Sequence, residues 1–421
     1  MRRQKTTVAL DDFEKTLNEL PKDEGWQTYH CTLVTPMYGG GVKAGEVDKA
    51  MPIRASSIRG QLRFWWRIAC GPDDPNELFK QEKAIWGGIG TKETPYSNDN
   101  GMKQTSEFKD DDKAKKTLAS RVKIRVEKCA QSNNTIIANR LINTKDIKGE
   151  GAKYVFGAAE ATDCLPSGYA FLLKIYCAED VKEDVQQTLR WWATFGGIGS
   201  RTRRGLGAVR IDGMTFVNAE QVREKGGQLA LSSYSFSSPE QAWKEATSKL
   251  YQFRQGRGIG RDRGSERPGR SFWPEPDALR RLSRRYKKKH APEHPAGNYF
   301  PRAVFGMPII FDFNDKTKKE PITMALLPEG HQRLASPLIL RPYLKDNQWY
   351  AAALLIPDWK CVLDEPLALD PSIDKVSPAH WPSDAVERNK IANQINPMKH
   401  NGTVRANDPL SAFLDYFKKG K

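Results

Sequence analysis

The chain has 421 residues, of which 67 are Lys or Arg and 51 are Asp or Glu, so its formal net charge is +16. This length predicts two or three domains, and 38% hydrophobic residues are too many for a disordered chain. The longest apolar runs, such as 351–357, are far shorter than the ~20 residues that cross a bilayer. The charged N-terminus has no apolar segment of a secretory signal. We therefore expect a cytoplasmic protein that makes no membrane contact and favours a polyanionic partner.

The first half of the chain alternates strand and helix patterns, and its charged run at 91–119 predicts a polar surface insertion. This order fits an α+β sandwich of the split βαβ type, with two helices on one face of a sheet. In chain order, the patterns predict a strand at 27–34, a glycine-rich loop at 35–41, a helix within 52–69, a helix at 76–85, strands at 120–129 and 169–177, a helix at 180–195, a glycine loop at 196–207 and a strand at 208–211.

The helix within 52–69 is predicted to be amphipathic, with Ser56 or Ser57 as its N-cap. At about 100° per residue, an apolar stripe and an arginine stripe lie on separate faces, with Trp66 between them. The apolar stripe contains Ile58, Leu62, Trp65 and Ala69, and the other stripe contains Arg59, Arg63 and Arg67.

The second half predicts another α+β domain, which gives domains at 1–212 and 213–421. Its segment 254–271 is rich in arginine and glycine, and we expect it to be too polar to bury and to fold only on contact with a partner. The other predicted elements are a helix at 239–253, a basic helical stretch at 277–289, strands at 303–313, 322–327, 337–342 and 349–356, and a helix at 409–418.

Motifs typical of catalytic residues or of metal ligands are weak in this sequence. The six cysteines form no C-x-x-C pair, so we expect reduced thiols and neither a zinc site nor a redox motif. His290 to His294 reads H-x-x-E-H, but Pro292 prevents the helix that would place both histidines on one face. His30 is a candidate general base for metal-independent RNA cleavage, yet no partner for it is evident. We predict no catalytic residue, no metal and no cofactor.

Residues that suit the binding of a polyanion are better represented in the sequence. The glycine loop carries Arg201, Arg203 and Arg204, whose guanidinium groups suit phosphate oxygens, and its glycines let a polyanion approach the backbone. Arg54 and the arginine stripe add a second basic surface beside the loop at 35–41. Tyr38 and Trp66 are predicted to stack on unpaired bases.

The run 197–207, GIGSRTRRGLG, has the form G-φ-G-x5-G-φ-G, in which φ is hydrophobic. It resembles the signature loop of the RAMP superfamily, the CRISPR-associated RNA-binding proteins. The blocks TPMYGGG, PIRASSIRGQLRFWWR, RPGRSFWPEPDALRRL and ASPLILRP resemble in particular the family of subunits numbered one in the type III-B CRISPR (Cmr) effector complex.

The resemblance implies two tandem ferredoxin-like (RAMP/RRM-like) domains with insertions. It implies a non-catalytic subunit that holds the 3′ part of a guide (CRISPR) RNA and helps capture complementary single-stranded target RNA in antiviral defence, next to other Cmr/RAMP backbone subunits. From the matched motifs and their chemistry, the predicted RNA-binding residues are Tyr38, Gly39, Gly40, Arg54, Ser56, Ser57, Arg59, Arg63, Trp66, Arg67, Gly197, Gly199, Arg201, Arg203, Arg204, Gly205, Gly207, Arg267 and Arg270.

Two other functions remain open at this point. One is a metal-independent endoribonuclease that processes CRISPR transcripts with His30 as its base. The other is a general RNA-assembly factor, which fits the charge but not the tandem RAMP-like blocks.

Overall fold

The computed structural model describes residues 25–43, 45–88, 118–128, 141–157, 161–264, 269–313, 315, 317–373 and 381–420. Most of the predicted insertion at 91–119 and position 267 lie outside these residues.

The predicted strands and helices of the first half occur in the predicted order, with bounds shifted by at most three residues. A helix at Glu150–Phe156 and two short strands, Ile142–Asn143 and Asp163–Cys164, were not predicted. The chain order is β1 (Gln27–Leu33), α1 (Ala55–Ala69), α2 (Pro75–Trp86), β2 (Val122–Lys128), β3 (Ile142–Asn143), α3 (Glu150–Phe156), β4 (Asp163–Cys164), β5 (Ala170–Cys177), α4 (Lys182–Phe195) and β6 (Val209–Ile211).

The main sheet of this half has the strand order β2-β5-β1-β6, and every neighbouring pair is antiparallel. With α1 and α4 inserted after the first and third strands, the topology is βαββαβ with the ferredoxin-like order. The α1 and α4 helices pack together beside the sheet, whereas the opposite face carries exposed side chains such as Thr28 and His30. The predicted ferredoxin-like fold is confirmed for this half.

The core under α1 is built from the predicted apolar stripe. Ile58 and Leu62 are fully buried, and Trp65 packs on Trp191 of α4 with ring centroids 6.3 Å apart. Burial of such side chains typically contributes ~1.5–3 kcal/mol each. The amphipathic pattern of the sequence therefore places α1 correctly on the sheet.

The second half contains two further antiparallel sheets and their helices. The chain order is α5 (Ala219–Glu224), β7 (Gln228–Phe236), α6 (Pro239–Gln255), α7 (Glu275–Ser283), β8 (Ile309–Phe311), β9 (Met324–Pro328), β10 (Leu338–Lys345), β11 (Gln348–Leu355), β12 (Leu367–Asp370), α8 (Ala385–Ala392), β13 (Lys399–His400), β14 (Thr403–Val404) and α9 (Pro409–Lys419).

The larger of these sheets has the order β10-β11-β7, and α6 and α9 pack against it. This is the βαββα part of a second ferredoxin-like unit, and no fourth strand joins it among the described residues. A smaller sheet, β12-β9-β8, is formed by strands on both sides of the β10–β11 hairpin in sequence. Ile339 and Tyr343 of β10 belong to the core of the first half, so the two units share packing. The boundary at 212/213 stays a prediction.

Three predictions for the second half need correction. The described residues of the segment 254–271 do pack locally, because Arg254 and Ile259 are only 8% and 7% exposed. The basic helix ends at Ser283, where Arg284 adopts a left-handed conformation. The predicted strand at 303–313 is a 3-10 helix at Pro301–Phe305 followed by the short β8.

Within the described ranges, no helix is long and apolar enough to cross a bilayer. The cysteines described there are free thiols. Burial raises the pKa of the Cys164 thiol to about 12, so this side chain stays protonated and unreactive at neutral pH. Cys129 lies outside the described residues.

Candidate nucleic-acid interface

The two glycine-rich loops of the first half lie directly against each other. The peptide N–H of Ser200 donates to the Tyr38 carbonyl at 2.7 Å, and that of Gly207 donates to the Pro36 carbonyl at 2.8 Å. The glycine loop also closes on itself, because the N–H of Ile198 donates to the Gly207 carbonyl at 2.8 Å. The sequence motifs at 35–41 and 197–207 therefore form one backbone-bonded structure.

This contact explains why glycine stands at several of the predicted positions. Gly207 has φ +64°, and a Cβ there would lie 1.9 Å from the Ile198 carbonyl oxygen. Gly199 has φ +86°, and a Cβ there would lie 2.6 Å from the Tyr38 oxygen. A Cβ on Gly39 would lie 2.7 Å from Ser200 Oγ, and one on Gly197 would lie 2.9 Å from the Gly207 oxygen. These glycines are required for loop packing, whether or not a polyanion approaches.

An open cavity of about 360 Å³ lies where the two loops meet the beginning of α1. None of the described residues that line it is acidic. Its polar and basic walls include Gly40, Lys43, Arg54, Ser57, Gly199 and Ser200.

The N-terminus of α1 opens toward this cavity without the predicted serine cap. The N-cap residue is Arg54, which makes no side-chain cap, and the first turn contains no acidic residue. Arg54 Nη2 instead donates to the Gly40 carbonyl at 2.5 Å, which holds the guanidinium against the loop at 35–41. The first turn of a helix leaves peptide N–H groups without intrahelical partners, and its dipole favours an anion. The geometry suits a phosphate group.

The arginine stripe of α1 does not converge on this cavity. Arg59 and Arg63 follow Ser57 and Gln61 by two positions each, which is roughly 200° around the helix. Arg63 and Arg67 turn toward α2, where both donate to the buried carboxylate of Glu82 at 2.7 Å. The stripe therefore does not extend the basic surface of this cavity, and Arg63 and Arg67 instead connect α1 to α2.

The three arginines of the glycine loop are also engaged inside the protein. Arg201 donates to the Val155 carbonyl of α3, and Arg203 donates to the Ser336 carbonyl just before β10. Arg204 donates to the Phe305 carbonyl at 2.8 Å, and burial lowers its pKa to about 10. These side chains connect the loop to α3 and to the second half of the chain.

The two predicted base-stacking residues are buried. Trp66 is 0% exposed, and its indole N–H donates to Asp184 at 2.9 Å. Tyr38 is 7% exposed, with Phe156 packed against its ring and Arg201 over it. Neither ring offers a face to a base in this structure, so stacking by Tyr38 and Trp66 is not supported.

Other predicted residues lie away from the cavity walls. Ser56 is exposed on α1 and does not line the cavity. Arg270 pairs with Asp277 at 2.8 Å and with Glu293 at 3.3 Å in the second half. Arg267 lies outside the described residues.

The structure adds cavity residues that were not among the predicted RNA-binding residues. Lys43 and Ser200 line the cavity, and Gln61 extends it along α1. Gln61 follows Ser57 by one helical turn, so helical spacing from a predicted residue was the one signal available for it.

The histidine patterns do not form a reactive cluster. His290 pairs with Glu320, whereas His294 Nε2 contacts the Phe272 carbonyl at 3.1 Å, and no helix spans the H-x-x-E-H run. His30 is exposed on the open sheet face and lines neither described cavity. In the described part of the chain, no group of three His, Cys, Asp or Glu side chains is arranged to hold a metal ion.

Comparison with known proteins connects this region to one family. Residues 30–210 match the model of the RAMP superfamily, which confirms the resemblance inferred from the glycine loop. A comparison with curated proteins finds no match.

Similar solved structures have low identities and low TM-scores. Cmr1 from Pyrococcus furiosus in its apo form is 18% identical over 79% of this chain and 87% of its own, with a TM-score of 0.35. A chain of the type III-B Cmr-beta complex bound to cognate target RNA is 9% identical over 83% of this chain and 96% of its own, with a TM-score of 0.37. A chain of a type IV-B CRISPR complex is 10% identical over 46% of this chain and 92% of its own, with a TM-score of 0.24.

Proposed function

Because residues 30–210 match the model of the RAMP superfamily, we propose that this protein is a non-catalytic RNA-binding subunit of a type III-B CRISPR (Cmr) ribonucleoprotein. In this proposal it holds the 3′ part of a guide RNA and helps capture complementary single-stranded target RNA. Its partners are those two RNAs and the neighbouring backbone subunits. Phosphate contacts dominate, since a guide-binding subunit has to accept many sequences.

The observation that carries the proposal is the cavity at the uncapped end of α1. Arg54 provides positive charge, as does the exposed Lys43, whose ammonium lies 3.7 Å from the Glu46 carboxylate outside the lining. Ser57 and the glycine backbone provide short hydrogen-bonding groups. A phosphate there lies at the positive end of a helix dipole and meets no carboxylate of the lining. We place the RNA backbone in this cavity and assign no RNA contact to the buried Tyr38 and Trp66.

Charge reversal at the cavity tests this function. We expect Arg54→Glu and Lys43→Glu each to weaken binding of a single-stranded 20-nucleotide RNA by about tenfold or more, because a charge-assisted bond is replaced by repulsion. The slope of log K against log salt should also become shallower by about 0.7 for each lost contact. Fluorescence anisotropy over a salt series measures both quantities.

The matched control is Arg223→Glu, because Arg223 is exposed on α5, forms an ion pair with Glu220, and lines neither described cavity. Equal binding by wild type and both cavity variants would overturn the proposed site. Arg59→Glu tests separately whether the arginine stripe provides a second RNA contact. Repeat RNA cut in EDTA by the wild type, but not by His30→Ala, would instead support the endoribonuclease.

A further inference from the structure

The basic stretch that the sequence predicts at 277–289 divides into an internal and an exposed part. Arg280 of α7 is enclosed, because its guanidinium donates to Asp277 at 3.0 Å and to Glu320 at 2.8 Å. The helix ends where Arg284 adopts its left-handed conformation. From this residue onward, the exposed side chains are Arg284, Arg285, Tyr286, Lys288 and Lys289. The cavity beside Arg54 accounts for none of these cations, because none of them lines it.

A second basic segment, between β8 and β9, lies against the first. Lys318 and Lys319 are exposed there, and Arg285 Nη2 donates to the Lys318 carbonyl at 3.1 Å. The Lys287 ammonium pairs with Asp315 at 2.7 Å, which joins the two segments at another point. Residues 33 positions apart therefore form one surface. We define the α7 surface as Arg284, Arg285, Tyr286, Lys288, Lys318 and Lys319.

The carboxylates of these two segments are mostly turned inward. The side chain of Asp315 is 4% exposed and that of Glu320 is 2% exposed, and Glu320 pairs with both Arg280 and His290. Asp312 is exposed in the second segment, but the exposed cations outnumber it. The cations of the α7 surface form no ion pair with another described residue. Their positive charge therefore faces solvent, where it attracts a polyanion.

Tyr286 adds an aromatic ring to the cations of the α7 surface. It is 46% exposed, and its ring makes no stacking or cation contact with another described residue. Single-stranded nucleic acid is bound by this combination, because cations contact the phosphates while an aromatic ring stacks on a base. Charge alone would also suit an acidic protein, but an exposed ring among the cations favours unpaired bases.

From these observations we infer that the α7 surface is a second binding site for single-stranded RNA. Its cations contact phosphates, and Tyr286 stacks on one base. None of its residues lines the cavity beside Arg54 or a smaller cavity of about 170 Å³ along α1, next to Gln61 and Phe64. The inference rests on the proposed function for its ligand, but it does not depend on RNA entering the cavity beside Arg54.

Charge reversal in the Arg54→Glu background tests the α7 surface, because RNA held beside Arg54 then does not mask it. We expect Lys288→Glu combined with Lys319→Glu to weaken the remaining binding of the single-stranded 20-nucleotide RNA by about tenfold or more. The slope of log K against log salt should become shallower by about 1.4, since two contacts at about 0.7 each are lost. Fluorescence anisotropy over a salt series measures both quantities.

The matched control is Arg223→Glu combined with Lys225→Glu in the same background. Both residues are exposed at the end of α5, outside the α7 surface and outside both cavities. Because this variant makes the same change in net charge, it should keep the remaining RNA affinity. An equal loss in the two double variants would show a general effect of charge and overturn the site.

The role of the ring is tested with two probes of equal phosphate number, again in the Arg54→Glu background. One is a uridine decamer, and the other is the same ribose-phosphate chain without bases. We expect Tyr286→Ala to weaken binding of the uridine decamer about 5- to 100-fold, as the loss of one stacked base allows, and to leave the abasic chain unaffected. Tyr286→Phe keeps the ring and should bind both probes as the background does.

The outcomes separate this inference from the proposed function. If Arg54→Glu weakens RNA binding but the lysine reversals add nothing, the α7 surface is not an RNA site and the proposed function stands. The inference is also wrong if Arg54→Glu alone abolishes RNA binding, or if Tyr286→Ala leaves the uridine decamer unaffected. If the lysine reversals weaken binding while Arg54→Glu and Lys43→Glu do not, the proposed cavity fails and the α7 surface stands.

Discussion

At the scale of single residues, Glu82 determines what the arginine stripe of α1 does. Its carboxylate is 5% exposed and accepts hydrogen bonds from Arg63 and Arg67. Burial raises the pKa of Glu82, but the bonds from Arg67 and Arg63 outweigh burial, so the pKa lies below its usual value. The two guanidinium groups therefore join α1 to α2 through one buried acid.

Glu82→Gln should lower the free energy of unfolding at pH 7 by about 1–2 kcal/mol, because half-exposed arginines lose a buried charged partner. A carboxyl with a depressed pKa contributes stability above its unfolded pKa of about 4.3, and this contribution disappears as the pH falls through the folded value. The difference between wild type and variant should therefore shrink below about pH 4. Urea unfolding at pH 7 and pH 3.5 measures it.

The exposed pair on α5 supplies the control for this experiment. Glu220 is 69% exposed and pairs with Arg223, so Glu220→Gln should change stability little at either pH. A stability difference for Glu82→Gln that is the same at both pH values would contradict the role assigned to its charge.

At the scale of elements, the two glycine loops act as one unit built on backbone contacts. Ser200, Ile198 and Gly207 donate main-chain hydrogen bonds within this unit, and glycines occupy positions that a Cβ would obstruct. This unit forms part of the wall of the larger cavity beside Arg54 and of the smaller cavity along α1.

Gly207→Ala should destabilise the protein by about 3 kcal/mol or more, because its Cβ would overlap the Ile198 carbonyl. Gly213→Ala is the control, since Gly213 also has a positive φ (+72°) but a Cβ there meets nothing within 4 Å. It should cost only about 1 kcal/mol. Thermal unfolding compares the two variants, and equal losses would show that backbone conformation alone, not loop packing, requires Gly207.

At the scale of the whole molecule, Arg341 joins the two ferredoxin-like units. This β10 residue is 2% exposed, and its guanidinium donates to the Ala193 carbonyl at 2.6 Å and to the Gly196 and Val209 carbonyls. It thus covers the C-terminal end of α4, where a positive charge is favourable. Burial lowers its pKa to about 9, so it remains mostly charged at neutral pH.

Arg341→Met should destabilise the protein by about 3 kcal/mol or more, since several carbonyls lose their donor inside the protein. Arg341→Lys keeps the charge but not the fork of donors, so an intermediate loss is expected. Denaturant unfolding monitored by tryptophan fluorescence provides the measurement. Wild-type stability in Arg341→Met would mean that the contact between the units does not depend on this residue.

Much of the fold could be predicted because it depends on local patterns. The apolar spacing in α1 and α4 and the alternation in β1, β2 and β5 each involve residues a few positions apart. The G-φ-G-x5-G-φ-G run likewise identified the family that matches residues 30–210. The candidate site was predicted only in part. Of the predicted residues, Arg54, Gly40 and Gly199 line the cavity, whereas Tyr38 and Trp66 are buried.

Composition, element order and the glycine signature were readable from the sequence by itself, because each is a property of neighbouring residues. The partner of each arginine was decided by tertiary structure alone. Arg63 meets Glu82 across 19 positions, Arg203 meets Ser336 across 133, and Arg341 meets Ala193 across 148. Such contacts depend on how the sheets and helices pack, and no spacing in the chain encodes them. An arginine that a helical pattern places on an outer face can therefore donate hydrogen bonds to a carboxylate or a carbonyl of a distant element.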